Sequence, residues 1–229
     1  MEGDRGRMTA VATRWASFDC YGTLIDWNAG IRTELARIFG EPAADRMLRR
    51  YHELEPRLQV DERTLPYREV MAGVLAELAR DEGIELPAAE ADALGRSLPS
   101  WPAFAEVPEE LRAARERGWR LAILSNTDPD LLAASTEAIG VPFDLRVTAR
   151  EAGSYKPAPG HWRRFQFETG AEPERHVHVA ASLFHDIEPA AAMGITAVWI
   201  NRLGESSEVP RAAELPDLAG LADTLEGLA

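Results

Sequence analysis

Apolar positions along this chain fall into two regimes. Short continuous runs rich in Val, Ile, Leu and aromatic residues occur at "RWASFD" (14–19), "WRLAILSN" (119–126), "DLRVTA" (144–149), "HVHVAAS" (176–182) and "TAVWIN" (196–201). Runs of that length and content predict strands buried on both faces. Helical patterns separate the later ones. "PEELRAARERG" has Pro108 suited to a first turn and Gly118 to a C-terminal cap. "DPDLLAASTEAIG" offers Asp128 as an N-cap and closes at Gly140. "PGHWRRFQFETG" and "DIEPAAAMG" complete the series. Strands alternating with helices predict an α/β fold, with right-handed crossovers and a parallel sheet covered on both faces.

The alternation breaks between about residues 27 and 105, where Ile31/Leu35/Ile38, "AADRMLRRYHELEPRL" and Val70/Val74/Leu75/Leu78 all repeat at helical spacing. A helical block inserted after the first strand must lie over the end of the sheet where that strand exits. Ligands bind at the carboxyl ends of such strands, so the block would roof the site. The organisation expected is a Rossmann-like core over 11–26 and 104–229, a helical cap over 27–103, and a frayed tail over 1–10.

Composition narrows the partners. The net charge of −13 comes from acids scattered along the chain, which argues against nucleic acid or an anionic membrane surface. The single cysteine rules out an intrachain disulfide and fits a reducing, cytoplasmic setting. No apolar run approaches the roughly 18–20 residues of a membrane span, and "MEGDRGRMTA" is too polar for a signal peptide.

Candidate chemistry gathers at the strand ends. The first strand ends in Asp19, within "FDCYGTLID"; the second ends in Ser125 and Asn126, within "AILSNTD"; the fourth runs through Ser182 and "LFHD" to Asp186. The loop after the third, "AGSYKPAPGHW", holds Lys156, the one lysine of a chain whose other basic side chains are all arginine. A compact, titratable ammonium suits a site too narrow for a planar guanidinium. Four consecutive strand ends therefore aim an acid, a hydroxyl-amide pair, an amine and a second acid at one spot.

These residues resemble the four motifs of the haloacid dehalogenase superfamily, and the likeness runs from residue 13 to about 225, cap included. The superfamily is mostly phosphatases, whose pattern has a second Asp two positions after the nucleophile; here that position is Tyr21. Their fourth motif has an acid four positions before the last one to help hold Mg²⁺; here it is Ser182. "FDCYGTLID" is instead similar to the L-2-haloacid dehalogenase branch. That resemblance implies a hydrolase of short 2-haloalkanoic acids such as haloacetates, 2-halopropionates or fluoroacetate. It would act through an aspartyl ester, need no metal or other cofactor, and form a homodimer. The alternative is a Mg²⁺-dependent phosphatase or phosphonate hydrolase for a small metabolite.

By the same resemblance Asp19 is the nucleophile, Lys156 pairs with it and keeps it ionised, and Asp186 positions the hydrolytic water. Thr23 steadies the nucleophile loop. Ser125 binds the substrate carboxylate with the N–H groups of Cys20 and Tyr21, Asn126 and Arg49 meet the halide, and Ser182 belongs to the substrate site. Cys20 should turn its thiol away from Asp19, since strand side chains alternate. His185, next to Asp186, is either a base or a wall of the site. One departure stands out: Ala181 and Leu183 replace the Ser and Asn of the branch's fourth motif.

Overall fold

The computed structural model describes residues 13–61 and 65–228; the tail expected over 1–10 lies outside the described residues. Six strands form one parallel sheet: β1 (Arg14–Phe18), β2 (Trp119–Ser125), β3 (Leu145–Thr148), β4 (His176–Ala180), β5 (Thr196–Ile200) and β6 (Ala213–Leu215), in the order β3-β2-β1-β4-β5-β6. Five are the predicted runs. β6, "AEL", is a three-residue edge strand with no fully buried side chain and hence no apolar run to announce it.

The chain builds outward on one side of β1 and then crosses to the other, so the sheet has its topological switch between β1 and β4. A crevice opens there at the carboxyl ends. One face is covered by α5 (Val107–Glu116), α6 (Pro129–Ile139) and α10 (Leu221–Gly227), which pack Leu111, Leu132 and Leu225 with Phe18, Ile123 and Val179. The other carries α8 (Gly160–Thr169) and α9 (Glu188–Ala192), which bring Trp162, Phe165 and Ala190 against Trp15, Leu124 and Trp199. Short α7 (Ala149–Ala152) follows β3.

Between β1 and β2 stand α1 (Trp27–Phe39), α2 (Glu41–Asp61), α3 (Tyr67–Asp81) and α4 (Ala93–Ser97). Their inward stripes, including Ile31, Leu35, Met47, Val70 and Leu75, continue the apolar cluster of the sheet face without a break. The block is pinned where it leaves and rejoins: Asp26 N–H donates to Pro102 O (2.8 Å) and Phe104 N–H to Leu24 O (3.0 Å). At that base Trp101 lies flat on Gly30, where an added Cβ would stand 2.3 Å from the indole, so only glycine fits.

One capping expectation is corrected. Asp128 occupies the position before α6, yet its carboxylate makes no bond to that helix. It accepts instead from the N–H groups of Tyr67 (2.9 Å) and Arg68 (3.0 Å), the free amides at the start of α3. Because α3 arrives over the carboxyl end of the sheet with Pro66 before it and no capping side chain of its own, the nearby acid serves it. Tyr155 adds a second tie, its hydroxyl donating to Leu65 O at 2.6 Å.

Candidate active site

The nucleophile loop begins as β1 ends. Gly22, at φ +87°, turns it back, a conformation that costs a side chain dearly. The return brings Thr23 beneath Asp19: its hydroxyl donates to Asp19 Oδ2 (2.9 Å) and accepts from Ala181 N–H (2.9 Å), tying the loop to the end of β4. The loop's backbone bonds use the N–H groups of Asp19, Gly22, Leu24 and Ile25, not those of Cys20 or Tyr21.

Lys156 is buried, and its three ammonium protons meet three acceptors: Asp19 Oδ1 (2.8 Å), Asp186 Oδ1 (2.7 Å) and Leu124 O (2.9 Å). Burial by itself would lower the amine's pKa, but the charges of Asp186 and Asp19 outweigh it and the net shift is upward. Asp186 is buried too; burial would raise its pKa, and Lys156 and His178 overcome that and hold it well below the usual carboxylate range. Both ionic partners are thus charged at neutral pH. Asp186 sits in a π-helical turn, Leu183–Ile187, capped by Ser182, whose Oγ accepts from His185 N–H (3.1 Å).

The cleft around this triad holds about 220 Å³ and is lined by Asp19, Tyr21, Ser125, Asn126, Thr127, Lys156, Ser182, His185 and Asp186 below, and by Trp27, His52, Glu55, Pro56, Gln59 and Tyr67 above. Nearly every predicted position therefore converges.

Two details, at Arg49 and Asn126, differ from expectation. Arg49 is exposed and is no part of the lining; it lies on the stripe of α2 that faces the cleft, but one turn too early, and His52, Glu55, Pro56 and Gln59 take that stripe over the site. Asn126 lines the cleft, yet its amide is committed to structure: Nδ2 donates to Lys156 O (3.2 Å) and Gln59 Oε1 (3.3 Å), while Oδ1 accepts from Lys156 N–H (2.6 Å). It splints the lysine rather than presenting free protons to a halide. The Cys20 side chain, as strand alternation predicts, joins the apolar cluster and not the cleft, and burial, with Asp19's charge, holds its thiol pKa up. Burial lowers the His185 pKa, and its Nδ1 is paired with Ser182 Oγ (3.1 Å), so it enters neutral chemistry as a neutral ring.

Tyr21 hydrogen-bonds Ser135 Oγ (2.9 Å) and, pushed up by burial, stays a phenol. His161 Nε2 donates to Ser125 O (3.0 Å), steadying the end of β2; burial takes its pKa down to about 3. Three buried polar atoms on lining residues have no hydrogen-bond partner: Trp27 Nε1, a donor, Thr127 Oγ1, a hydroxyl, and Asp186 Oδ2, an acceptor.

The cap's polar contribution escapes a first reading of the sequence. Glu55 is buried, takes a hydrogen bond from the Gln59 amide, and burial lifts its pKa to about 7. The spacing 52/55/56/59 on one helix face is the signal that could have exposed it.

Comparison with known proteins agrees with this architecture. The haloacid dehalogenase-like hydrolase family profile matches residues 13–194, and the chain belongs to that hydrolase family. It is 28% identical over 193 residues to haloacetate dehalogenase H-2 of Moraxella sp. (strain B), spanning 82% of this chain and 85% of that one. A shorter stretch of 130 residues is 34% identical to a phosphoserine phosphatase of Thermus thermophilus, covering 56% of this chain and 51% of the phosphatase, about half its length. Among solved structures, that of an L-2-haloacid dehalogenase superposes with a TM-score of 0.84 at 24% identity, over 94% of this chain and all of the other, a likeness of fold.

Proposed function

We propose that this hydrolase removes halide from short 2-haloalkanoic acids without a metal, through an ester on Asp19. The observation that carries the reading is the Lys156 ammonium seated between Asp19 and Asp186 at 2.8 and 2.7 Å, with Tyr21 where phosphoryl-transfer relatives place a second acid. A carboxylate attacking saturated carbon needs to be ionised, aimed and shielded from water, and the leaving halide needs no proton. One Asp19 oxygen forms the new bond to C2 as the carbon–halogen bond breaks, its electron pair leaving with the halide. The Cys20 and Tyr21 amides and Ser125 receive the substrate carboxylate, and Trp27 Nε1 is the donor we assign to the halide in place of Arg49. Residues 27–103 act as the cap that excludes solvent, in a cytoplasmic homodimer.

One observation favours a second reading, hydrolysis of a phosphate ester: the partial likeness to a phosphatase. That chemistry calls for a dication and the donor set does not fit one. A hard dication wants several anionic oxygens. Among the described residues no three His, Cys, Asp or Glu side chains form a group able to hold a metal ion, and the two acids at the strand ends, Asp19 and Asp186, already share an ammonium. Chloride and fluoride release should be followed across haloacetates and 2-halopropionates with chelator present. Release under those conditions is the expected result; phosphate release that appears only with Mg²⁺, and no halide, would favour the second reading.

A further inference from the structure

Below the cleft, a line of buried polar side chains runs between β1 and β4 and ends on Asp186. The strand register pairs Ser17 with His178 and Trp15 with His176. Alternation then puts Ser17, Asp19, His176 and His178 on one face of the sheet. His176 Nε2 lies 2.7 Å from Ser17 Oγ, Ser17 Oγ lies 2.8 Å from His178 Nδ1, and His178 Nε2 lies 3.0 Å from Asp186 Oδ1. All four residues are buried.

A serine hydroxyl has one proton, so it can donate to only one of its two histidines and must accept from the other. Asp186 is ionised and only accepts, which makes His178 Nε2 the donor to it. In the tautomer whose Nε2 carries the proton, His178 Nδ1 accepts the Ser17 proton, and His176 Nε2–H donates to Ser17. Every link is then satisfied in one direction. His176 keeps this order because burial takes its pKa down to about 3 and leaves it neutral, stacked on Phe165 at 4.2 Å.

We propose that Ser17, His178 and His176 are positioning residues for Asp186: they and Lys156 saturate Oδ1, leaving Oδ2 free to take a proton from the water that hydrolyses the Asp19 ester. The inference rests on the ester reading above. Water adds to the Asp19 carbonyl carbon and gives one proton to Asp186 Oδ2. The bond from that carbon to the product oxygen then breaks, the alkoxide takes the proton from Asp186, and the new Asp19 carboxyl releases its own proton to solvent. Oδ2 is the one buried oxygen of the triad without a protein partner, as this role requires. A group that merely filled space behind the sheet would have no reason to occupy one Asp186 oxygen and leave the other unpartnered.

The test is a pre-steady-state acid quench of 2-halopropionate turnover, reading halide release alongside the ester on Asp19 by mass spectrometry. In His178→Leu we expect a halide burst near one per site, then steady turnover slowed about 10²-fold, the order seen when one positioned hydrogen-bond donor is lost, with ester accumulating. His178→Gln, which keeps a donor toward Asp186, should recover much of the rate. Ser17→Ala, a milder change that leaves every group touching substrate in place, should accumulate ester to an intermediate degree. Burst and steady phases falling together, or unchanged partition in Ser17→Ala, would overturn the positioning role. A wild-type enzyme that never forms the ester would overturn both this role and the reading beneath it.

Discussion

At Lys156 three protons meet three acceptors arranged around one nitrogen, a geometry a planar guanidinium cannot reproduce. Lys156→Arg should therefore fold but lose about 10²-fold or more in kcat, measured as halide release. Composition makes this residue legible, because a lone lysine among arginines needs a local reason. Glu55 is the contrary case. An acid on an amphipathic helix reads the same whether its stripe meets water or a roofed cleft, and only the packing of α2 separates the two. Its carboxyl, lifted by burial from 4.5 to about 7, is neutral in the folded state over a range where the unfolded chain ionises. Below pH 4.5 both states are protonated and nothing is lost. Stability then falls as pH rises toward about 7 and levels off above it, a full cost of about 3 kcal/mol. Glu55→Gln should remove that fall: denaturant unfolding at about pH 5 and about pH 8 should differ less in the variant than in the wild type.

Among the elements, five of the six strands follow from apolar runs, while β6 and the partners of polar side chains at element ends do not. Asp128 shows why. Its place before "PDLLAASTEAIG" predicts a cap for α6, and the sequence holds no sign that α3, some sixty positions earlier, brings two free amides within reach. Asp128→Ala should cost about 1–2 kcal/mol, and hydrogen exchange should quicken in the first turn of α3 while that of α6 is unchanged. Quickening in α6 alone would restore the original assignment. The same element-scale blindness misplaced Arg49: periodicity gives the face of α2 but not which turn overhangs the cleft. The π-helical turn that presents Asp186, and the pairing of Ser17 with His178, likewise arise from register between segments far apart in the chain.

For the whole molecule, the sheet order explains why so few residues suffice. Its switch between β1 and β4 sets Asp19 and Asp186 on either side of one crevice, the loop after β3 delivers the ammonium between them, and the helices after β1 close the top. Within the described residues no helix is long and apolar enough to cross a membrane. The site that results has three acids and one lysine on its lining and no arginine, in a chain of net charge −13. The proposed reading therefore has its anionic substrate held by backbone amides, hydroxyls and the Trp27 indole. The nucleophilic role of Asp19 is open to direct measurement: many turnovers of a 2-haloacid in ¹⁸O-water, followed by mass analysis of the peptide that contains Asp19. The account predicts ¹⁸O in the Asp19 carboxylate, because water attacks its carbonyl carbon to free the product. Heavy oxygen found only in the product, with Asp19 unlabelled after many turnovers, would contradict it.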